Sequence, residues 1–338
     1  MKHLFFTIAL LFASIPLFSQ EPVDSLIQVG IQYHDAGQYE KAIETYKQAL
    51  EINNESMVAH AELAITYMHT EDYKKSIKHS DIVIKNGDKT ALSAYITKGS
   101  CLDYLGKTKR SIRLFKKGIK EFGDHYLLHY NLAYNYFQME ELEDAEESVL
   151  SAIEAKTSHS SSHLLLGYIR SDKGQKVQSL LSLYFFLLLE PDSKRSQTAY
   201  SLLQQQFQGN VEKDDDNPNE VNIYVNADNM DSEFSAAELM LSMLHVSKDL
   251  EENQDKTEEE LFIENTTSFF NVLGELKKES YEGLCWDFYV PFFYDIAKSD
   301  HIDTFCYYIS KSSNEKAMEW IVNNEEKLKS FAQWMEKQ

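Results

Sequence analysis

The chain has 338 residues, and its 54 acidic side chains outnumber 33 basic ones, which gives a formal net charge of −21. This charge argues against a nucleic-acid partner, because affinity for phosphate backbones comes mainly from lysine and arginine. The 43% hydrophobic content is enough for a core, and the length predicts about two domains at roughly 150 residues each. No proline lies between Pro22 and Pro191, which favours helices.

Residues 1–19 have the pattern of a secretory signal peptide. Lys2 and His3 form a basic start, an apolar run follows, and Ser19 offers a small residue for cleavage. The apolar run is shorter than the roughly 20 residues of a membrane-spanning helix, although an uncleaved anchor is the alternative. We therefore expect an exported protein, in the periplasm of a Gram-negative bacterium or secreted, with no stable membrane span in its mature form.

The three cysteines, Cys101, Cys285 and Cys306, are too few for a disulfide framework. The sequence leaves open a single bridge between Cys285 and Cys306. Three buried free thiols are the favoured interpretation, since free cysteine behaves as a small apolar residue. Stability must then come from packing.

A repeating register runs through the first half of the chain. Small residues recur 34 or 35 positions apart, at Gly30, Ala64, Gly99, Ala133 and Gly167. Twelve residues after each of these, another small residue follows: Ala42, Ser76, Ser111, Ala145 and Ser179. Small side chains allow two antiparallel helices to approach closely, and stacked hairpins bury a core that one hairpin cannot.

This pattern resembles the tetratricopeptide repeat family. The resemblance implies an all-α fold over residues 23–209, a right-handed solenoid of helix-turn-helix repeats. The repeats are assigned to 23–56, 57–90, 92–125, 126–159 and 160–193, and a capping helix follows. Two departures from the family pattern concern aromatic positions. Arg170 replaces an aromatic residue in the fifth repeat, and the large aromatic near the start of each repeat is replaced by His60, His129 and His163 in three of them.

After the repeats, residues 210–231 are acidic and rich in asparagine, which is typical of a linker. Alternation at Val221, Ile223 and Val225 predicts one short strand within it. Residues 232–338 predict a smaller, acidic and aromatic-rich helical domain. Its helices include one opened by a capping box at Thr257, one bent or broken at Pro291, and a last one over about 314–337.

The aromatic residues of 281–308 have two interpretations, a helical core or a ligand pocket, and the core is favoured. A ligand-binding or enzymatic C-terminal domain, with Asp287 or His301 as the reactive group, is therefore the alternative function. In a third alternative, the C-terminal helices fold back on the repeats as a structural cap or a dimer contact.

No phosphate-binding loop, nucleophile motif or paired-cysteine metal motif occurs. The pairs His125–His129 and His159–His163 have the i,i+4 spacing of metal ligands, but they recur at the same two repeat positions, which repeat geometry explains. The sequence therefore predicts a non-enzymatic protein with no catalytic residue, cofactor or metal.

Charge changes sign between the third and fourth repeats. Basic residues dominate 107–120, and an acidic helix follows, with carboxylates expected to be solvated at Glu143, Asp144, Glu146 and Glu147. Ion pairing between neighbouring repeats is the favoured interpretation, and docking of an acidic partner at the basic residues is the alternative.

In a tetratricopeptide array, the first helix of each repeat lines a concave groove that typically holds a segment of a partner. The resemblance therefore implies a protein–protein interaction scaffold or adaptor of the cell envelope that binds a peptide or helix. The predicted groove residues are Ile27, Ile31, Ile65, Ile96, Tyr104, Tyr130, Asn131, Tyr134, Phe137 and Tyr168. The basic residues with which some members clasp a carboxylate are absent, so we expect an apolar partner; its identity and self-association are left open.

Overall fold

The computed structural model describes residues 20–87, 89–207, 211–213, 221–223, 233–247 and 253–337. The predicted signal peptide at 1–19 and most of the predicted linker at 210–231 lie outside the described residues. Within the described residues the chain is helical, apart from two strands of three residues each. None of the helices described is long and apolar enough to cross a membrane. The all-α expectation is therefore confirmed.

The chain divides into two compact units, residues 1–123 and 124–338. The first unit contains three helix-turn-helix pairs, which coincide with the first three predicted repeats. Its helices are α1 (Gln20–Asp35), α2 (Tyr39–Ile52), α3 (Met57–His69), α4 (Tyr73–Asn86), α5 (Ala91–Tyr104) and α6 (Thr108–Phe122).

The small residues of the register are required by the packing within each pair. A Cβ atom added to Gly30 would lie 2.4 Å from Cε1 of Tyr46, and one added to Gly99 would lie 2.2 Å from Cζ of Phe115. Both rings belong to the second helix of the same repeat. The predicted close approach of the paired helices is confirmed.

The second small position contributes a hydrogen bond that the sequence did not predict. The hydroxyl of Ser76 donates to the Ala64 carbonyl at 2.7 Å, and that of Ser111 donates to the Gly99 carbonyl at 2.8 Å. Each bond joins the two helices of one repeat at the point where they approach most closely. Where serine occupies this position, it thus contributes its hydroxyl as well as its small size.

The turn between the two helices of each repeat holds one residue in the left-handed region. Its φ is 71° at Gly37, 60° at Glu71, 69° at Gly106, 59° at Glu140 and 73° at Gly174. Glycine adopts this conformation without a Cβ clash, whereas the two glutamates are strained there.

The second unit holds the last two repeats, the capping helix and the C-terminal helices. Its elements are α7 (Tyr126–Gln138), α8 (Leu142–Ala155), α9 (Ser160–Asp172), α10 (Lys176–Leu189), α11 (Lys194–Gln206), β1 (Val211–Lys213), β2 (Val221–Ile223), α12 (Ser235–Ser247), α13 (Glu258–Leu276), a π-helical turn (Cys285–Tyr289), α14 (Val290–Lys298), α15 (Ile302–Ser310), α16 (Glu315–Asn323) and α17 (Glu325–Met335). Strand β2 lies where one short strand was predicted, and it pairs antiparallel with β1, which was not predicted.

Helix α10 lies in the core of the second unit. Eleven of its 14 residues are buried, and aromatic side chains of the C-terminal helices surround it. The Tyr184 ring centroid lies 4.9 Å from that of Phe270 and 6.0 Å from that of Phe305. The predicted domain boundary near residue 210 thus falls inside one compact unit, and the C-terminal helices pack on the fifth repeat as the structural-cap alternative expects.

The C-terminal helices follow the sequence pattern with one correction. Thr257 and Glu260 form the predicted capping box, and Pro291 lies at the start of α14, directly after the π-helical turn. The single helix predicted over about 314–337 is wrong. Asn324, with φ −127° and ψ 42°, leaves the helical region and separates α16 from α17.

All three cysteines are buried free thiols, as the favoured interpretation expects. The alternative bridge between Cys285 and Cys306 is not formed. Instead, the Cys285 sulfur accepts a hydrogen bond from Nη1 of Arg170 at 3.1 Å.

Candidate functional site

In the first unit, the predicted groove residues differ in how much surface they present. Ile27 is 3% exposed and belongs to the core between the repeats. Ile31, Ile65 and Ile96 are half-buried, whereas Tyr104 is 61% exposed. A partner at this surface would therefore contact Ile31, Ile65, Ile96 and Tyr104, whereas Ile27 is part of the core.

Ring pairs join successive repeats of the first unit near their turns. Tyr39, the first residue of α2, stacks on His69 at the end of α3 with centroids 5.5 Å apart. One repeat later, Tyr73 lies 5.2 Å from Tyr104. His69 is one of the groove positions that the repeat register assigns to the second repeat, whereas Tyr39 and Tyr73 were not predicted, although their recurrence 34 residues apart was a usable signal.

A polar network lies beside these rings. Oγ1 of Thr66 donates to the Glu62 carbonyl at 2.8 Å, so the Nδ1 of His34, 2.8 Å from the same oxygen, is the donor of the second bond. Burial, and then the neighbouring Asp35, raise the pKa of the Glu62 carboxyl. The groove positions of the first unit thus combine apolar side chains with a carboxyl group whose pKa is raised by burial.

In the second unit, four predicted groove residues lie on α7. Tyr130, Tyr134 and Phe137 follow the i,i+4,i+7 spacing of one helix face, and Tyr134 is 41% exposed while the other two are half-buried. The Asn131 side chain donates to the Leu127 carbonyl at 2.7 Å, so one of its amide hydrogens is used within its own helix.

Tyr168 on α9 joins this face through Arg195. Tyr130 and Tyr168 both interact electrostatically with Arg195, and both raise its pKa after the larger effect of the hydrogen bond to Glu190. Nε of Arg195 donates to Glu190 at 3.0 Å, and Nη1 donates to Ser161 at 2.9 Å. We call Tyr130, Tyr134, Phe137 and Tyr168 the tyrosine face.

His159 borders the tyrosine face and was not predicted as part of it. Its ring meets that of Tyr130 edge-on, with centroids 5.0 Å apart. Burial, and then the charges of Lys156 and Arg195, lower the pKa of His159. The imidazole is therefore neutral at pH 7, and the tyrosine face presents aromatic rings beside two cations.

The fourth and fifth repeats are joined by a buried ion pair whose carboxylate was wrongly predicted to lie in solvent. The Glu146 carboxylate accepts from Nε of Arg170 at 3.0 Å and from Nζ of Lys173 at 2.7 Å. Arg170 is 6% exposed, and it also donates to Ser182 at 3.3 Å. The unusual residue of the fifth repeat thus has a structural role.

The register histidines form buried hydrogen bonds. Nε2 of His163 lies 2.6 Å from the Thr157 carbonyl and therefore donates to it, so Nδ1 accepts from the Tyr289 hydroxyl at 2.6 Å. Burial lowers the pKa of His163 to about 4. His60 contacts the Asn54 carbonyl in the same way at 3.2 Å. Among the residues that the structure describes, no group of three or more potential ligands fits a metal ion.

The aromatic segment of the C-terminal half is a closed core. Trp286, Tyr289 and Phe293 are each at most 1% exposed. The Asp287 carboxylate accepts from its own turn, at the Gly283 amide 2.7 Å away. These side chains therefore form a helical core, as the favoured interpretation expects.

A cavity of about 490 Å³ lies in the second unit, between α11, α13 and α15. Tyr200, Phe262 and Tyr307 line its apolar part, and Cys306 is also in its wall. Burial raises the pKa of the Cys306 thiol well above its ordinary value. A thiol with a raised pKa has little of the thiolate form that acts as a nucleophile.

The comparisons with known proteins agree with the repeat register. A family model described as TPR repeat matches residues 30–70, and one described as tetratricopeptide repeat matches residues 126–159. The resemblance to tetratricopeptide repeats is confirmed over these residues. No curated protein matches the chain.

Among solved structures, the fold is similar to that of pilF from Pseudomonas aeruginosa, with a TM-score of 0.50 at 18% identity over 70% of this chain and 97% of that one. TTC0263, a TPR protein of Thermus thermophilus, matches with a TM-score of 0.47 at 15% identity over 54% of this chain and 98% of that one. YrrB, described as a TPR protein with an unusual peptide-binding site, matches with a TM-score of 0.40 at 16% identity over 53% and 90%. At these identities the likeness concerns the fold alone.

Proposed function

We propose that this protein is a non-enzymatic scaffold or adaptor of the cell envelope that binds a partner protein through the tyrosine face. The observation that carries the proposal is the set of aromatic side chains left partly exposed on α7 and α9, at positions where repeats of this kind bind partners. Aromatic residues supply large contact areas at a low entropic cost, which makes them frequent anchors of interfaces.

The surroundings of the tyrosine face indicate the chemistry of the partner. Arg195 is engaged by Glu190 and Ser161, so its charge is largely balanced before a partner binds. His159 is neutral because burial and two cations lower its pKa. The surface therefore favours an apolar or aromatic peptide or helix whose polar atoms accept hydrogen bonds from the tyrosine hydroxyls.

The proposal is tested with the triple variant Y130A/Y134A/F137A. Affinity purification from an envelope extract, followed by mass spectrometry, should recover a partner with the wild-type chain and lose it with the variant. Circular dichroism verifies that the variant keeps its helices. Equal recovery with a folded variant would contradict the proposal.

The matched control is M318A/V322A on α16, which removes apolar side chains that are 39% and 63% exposed outside the repeats. This variant should recover the same partner as the wild type. Loss of the partner in both variants would mean that nonspecific apolar contact, rather than the tyrosine face, drives the capture.

Export is part of the same proposal and is supported by the pattern of residues 1–19. The intact mass of the protein isolated from a periplasmic fraction should correspond to a chain that lacks these residues. Recovery of the uncleaved chain from the cytoplasm or the membrane would instead contradict export with cleavage.

A further inference from the structure

The outward faces of two successive repeats carry opposite charges at identical positions. In the third repeat, α6 places Arg110, Arg113 and Lys120 on one side, and the helix rise of 1.5 Å per residue spreads them over about 15 Å. In the fourth repeat, 34 residues later in each case, α8 places Asp144, Glu147 and Glu154 at the same three positions. We call these sets the basic face and the acidic face.

These six side chains are exposed and lack partners. None of them forms an ion pair or hydrogen bond with another residue in the part of the chain that the structure describes. Their state contrasts with that of Glu146 on the same α8, which is tied to Arg170 and Lys173. The ion pairing expected to neutralise the basic residues is therefore not formed at the basic face.

The basic charge extends beyond α6. At the equivalent positions of the second repeat, α4 carries Lys75, Lys78 and Lys85, all exposed. Of these, Lys75 pairs with Asp72 at the N-cap of its own helix. A partner that docks on the first unit would thus meet more cations than a single helix provides.

The geometry points to a second copy of this chain as the occupant of the basic face. We propose that the acidic face of one copy docks on the basic face of another, in a head-to-tail contact. The two faces have identical spacing because they occupy equivalent positions in two successive repeats. When α6 and α8 of two copies lie side by side in the same direction, three cations meet three carboxylates in register.

The overall charge of the chain does not prevent this contact. Two copies at −21 repel each other, but at physiological salt the repulsion is screened beyond about 8 Å. At contact, the local complementarity of the two faces therefore decides the interaction. Exposed ion pairs are individually weak, so the association should depend strongly on salt and concentration.

The symmetry of the contact determines the kind of assembly. The basic and acidic faces are different surfaces, so two copies that dock through one contact leave one basic face and one acidic face free. Such a heterologous contact builds rings or open chains rather than closed dimers. The average mass should therefore continue to rise with concentration instead of stopping at twice the monomer mass.

The experiment is sedimentation velocity of the full chain at about 150 mM salt (low salt) and about 500 mM salt (high salt), between which the Debye length falls from about 8 Å to about 4 Å. The average mass should exceed the monomer mass by roughly twofold or more at low salt and return to it at high salt. The variants R110E/R113E/K120E and D144K/E147K/E154K should each be monomeric at low salt. Their equimolar mixture should assemble again, because every reversed face finds a complementary one.

The matched control is E40K/E44K/E51K on α2, which changes the net charge as much as the acidic-face variant does. It should assemble like the wild type. A monomeric wild type at low salt, a mixture that stays monomeric, or single variants that still assemble would each overturn the proposal. Binding of the monomeric wild type to vesicles of anionic lipid would overturn it in favour of a membrane surface.

Discussion

Helices α6 and α10 occupy the same position in the third and fifth repeats, yet their surroundings are opposite. In α6 only Ser111, Phe115 and Gly118 are buried, and cations cover much of the rest. In α10 eleven of 14 residues are buried, because the C-terminal helices cover the side that α6 leaves to solvent. The repeat register therefore determines which residues of such a helix pack against the other helices of the repeats. The remaining residues determine whether its opposite side is exposed to solvent or covered by further helices.

The largest expected effect comes from removing the cover of α10. A chain that ends at residue 209 exposes Tyr184 and Phe185, and each uncovered ring loses roughly 1.5–3 kcal/mol of burial. We expect loss of cooperative unfolding in residues 124–209 and binding of a hydrophobic dye. A fragment of residues 20–123, whose outer helices are polar, should keep its helices under the same conditions.

This pair of fragments also tests the domain boundary. If residues 20–209 unfold cooperatively with an unchanged midpoint and bind no dye, the C-terminal helices are a separate domain, as the sequence predicted. The comparison between α6 and α10 would then have no energetic consequence.

The next effect concerns the ion pair inside the second unit. Glu146→Ala leaves the buried Arg170 without its carboxylate, and breaking a buried pair on one side costs about 3 kcal/mol. Glu147→Ala on the next residue removes an exposed carboxylate and should change stability by less than about 0.5 kcal/mol. Urea denaturation of both variants measures the difference, and equal effects would show that Glu146 is no more important than a surface residue.

A pH effect should follow from His163. Its pKa is lowered to about 4 from the ordinary 6.5, so between these values the unfolded chain binds a proton that the folded chain does not. Stability is therefore complete above pH 6.5 and is lost as the pH falls, by about 2 kcal/mol at pH 5 for this group.

His163→Asn isolates this contribution, since other buried histidines also titrate. Between pH 8 and pH 5, the variant should lose about 2 kcal/mol less than the wild type in urea denaturation, although it is less stable at pH 8. Parallel pH profiles for the two proteins would mean that the pKa of His163 is the same in the folded and the unfolded chain, which would contradict this prediction.

The sequence was informative wherever a local rule decides the structure. The spacing of Gly30, Gly99 and Gly167 predicted the hairpins, because only a small residue fits against the facing helix. The capping box at Thr257 predicted the start of α13. Solvent exposure of Glu146 was predicted wrongly, because its partner Arg170 lies in the next repeat and helix periodicity alone does not show it.

The C-terminal half was harder to predict because its contacts are distant along the chain. Residues 180–190 are nearly all apolar and lack the polar side of a surface helix. A helix that is apolar on all sides must also be buried on all sides, so this segment already indicated a covering layer. Similarly, the groove pattern identified Tyr130 and Tyr168, but Arg195 and His159, which determine the charge around them, come from outside that pattern.

The smallest expected effect concerns the turns, where both units can be compared at the same position. Glu71 and Glu140 adopt a left-handed conformation that glycine provides in the other three repeats. Glu71→Gly and Glu140→Gly should each stabilise the protein by about 0.5–1 kcal/mol, because the relief of strain exceeds the added flexibility of the unfolded chain. The same change at the exposed helical residues Glu44 and Glu147 should destabilise by about 1 kcal/mol. Thermal denaturation of the four variants measures the change in stability at each position. A gain at the two turns and a loss at the two helical positions would show that the turn conformation is responsible. Destabilisation at all four positions would show that the strain at the two turns is negligible.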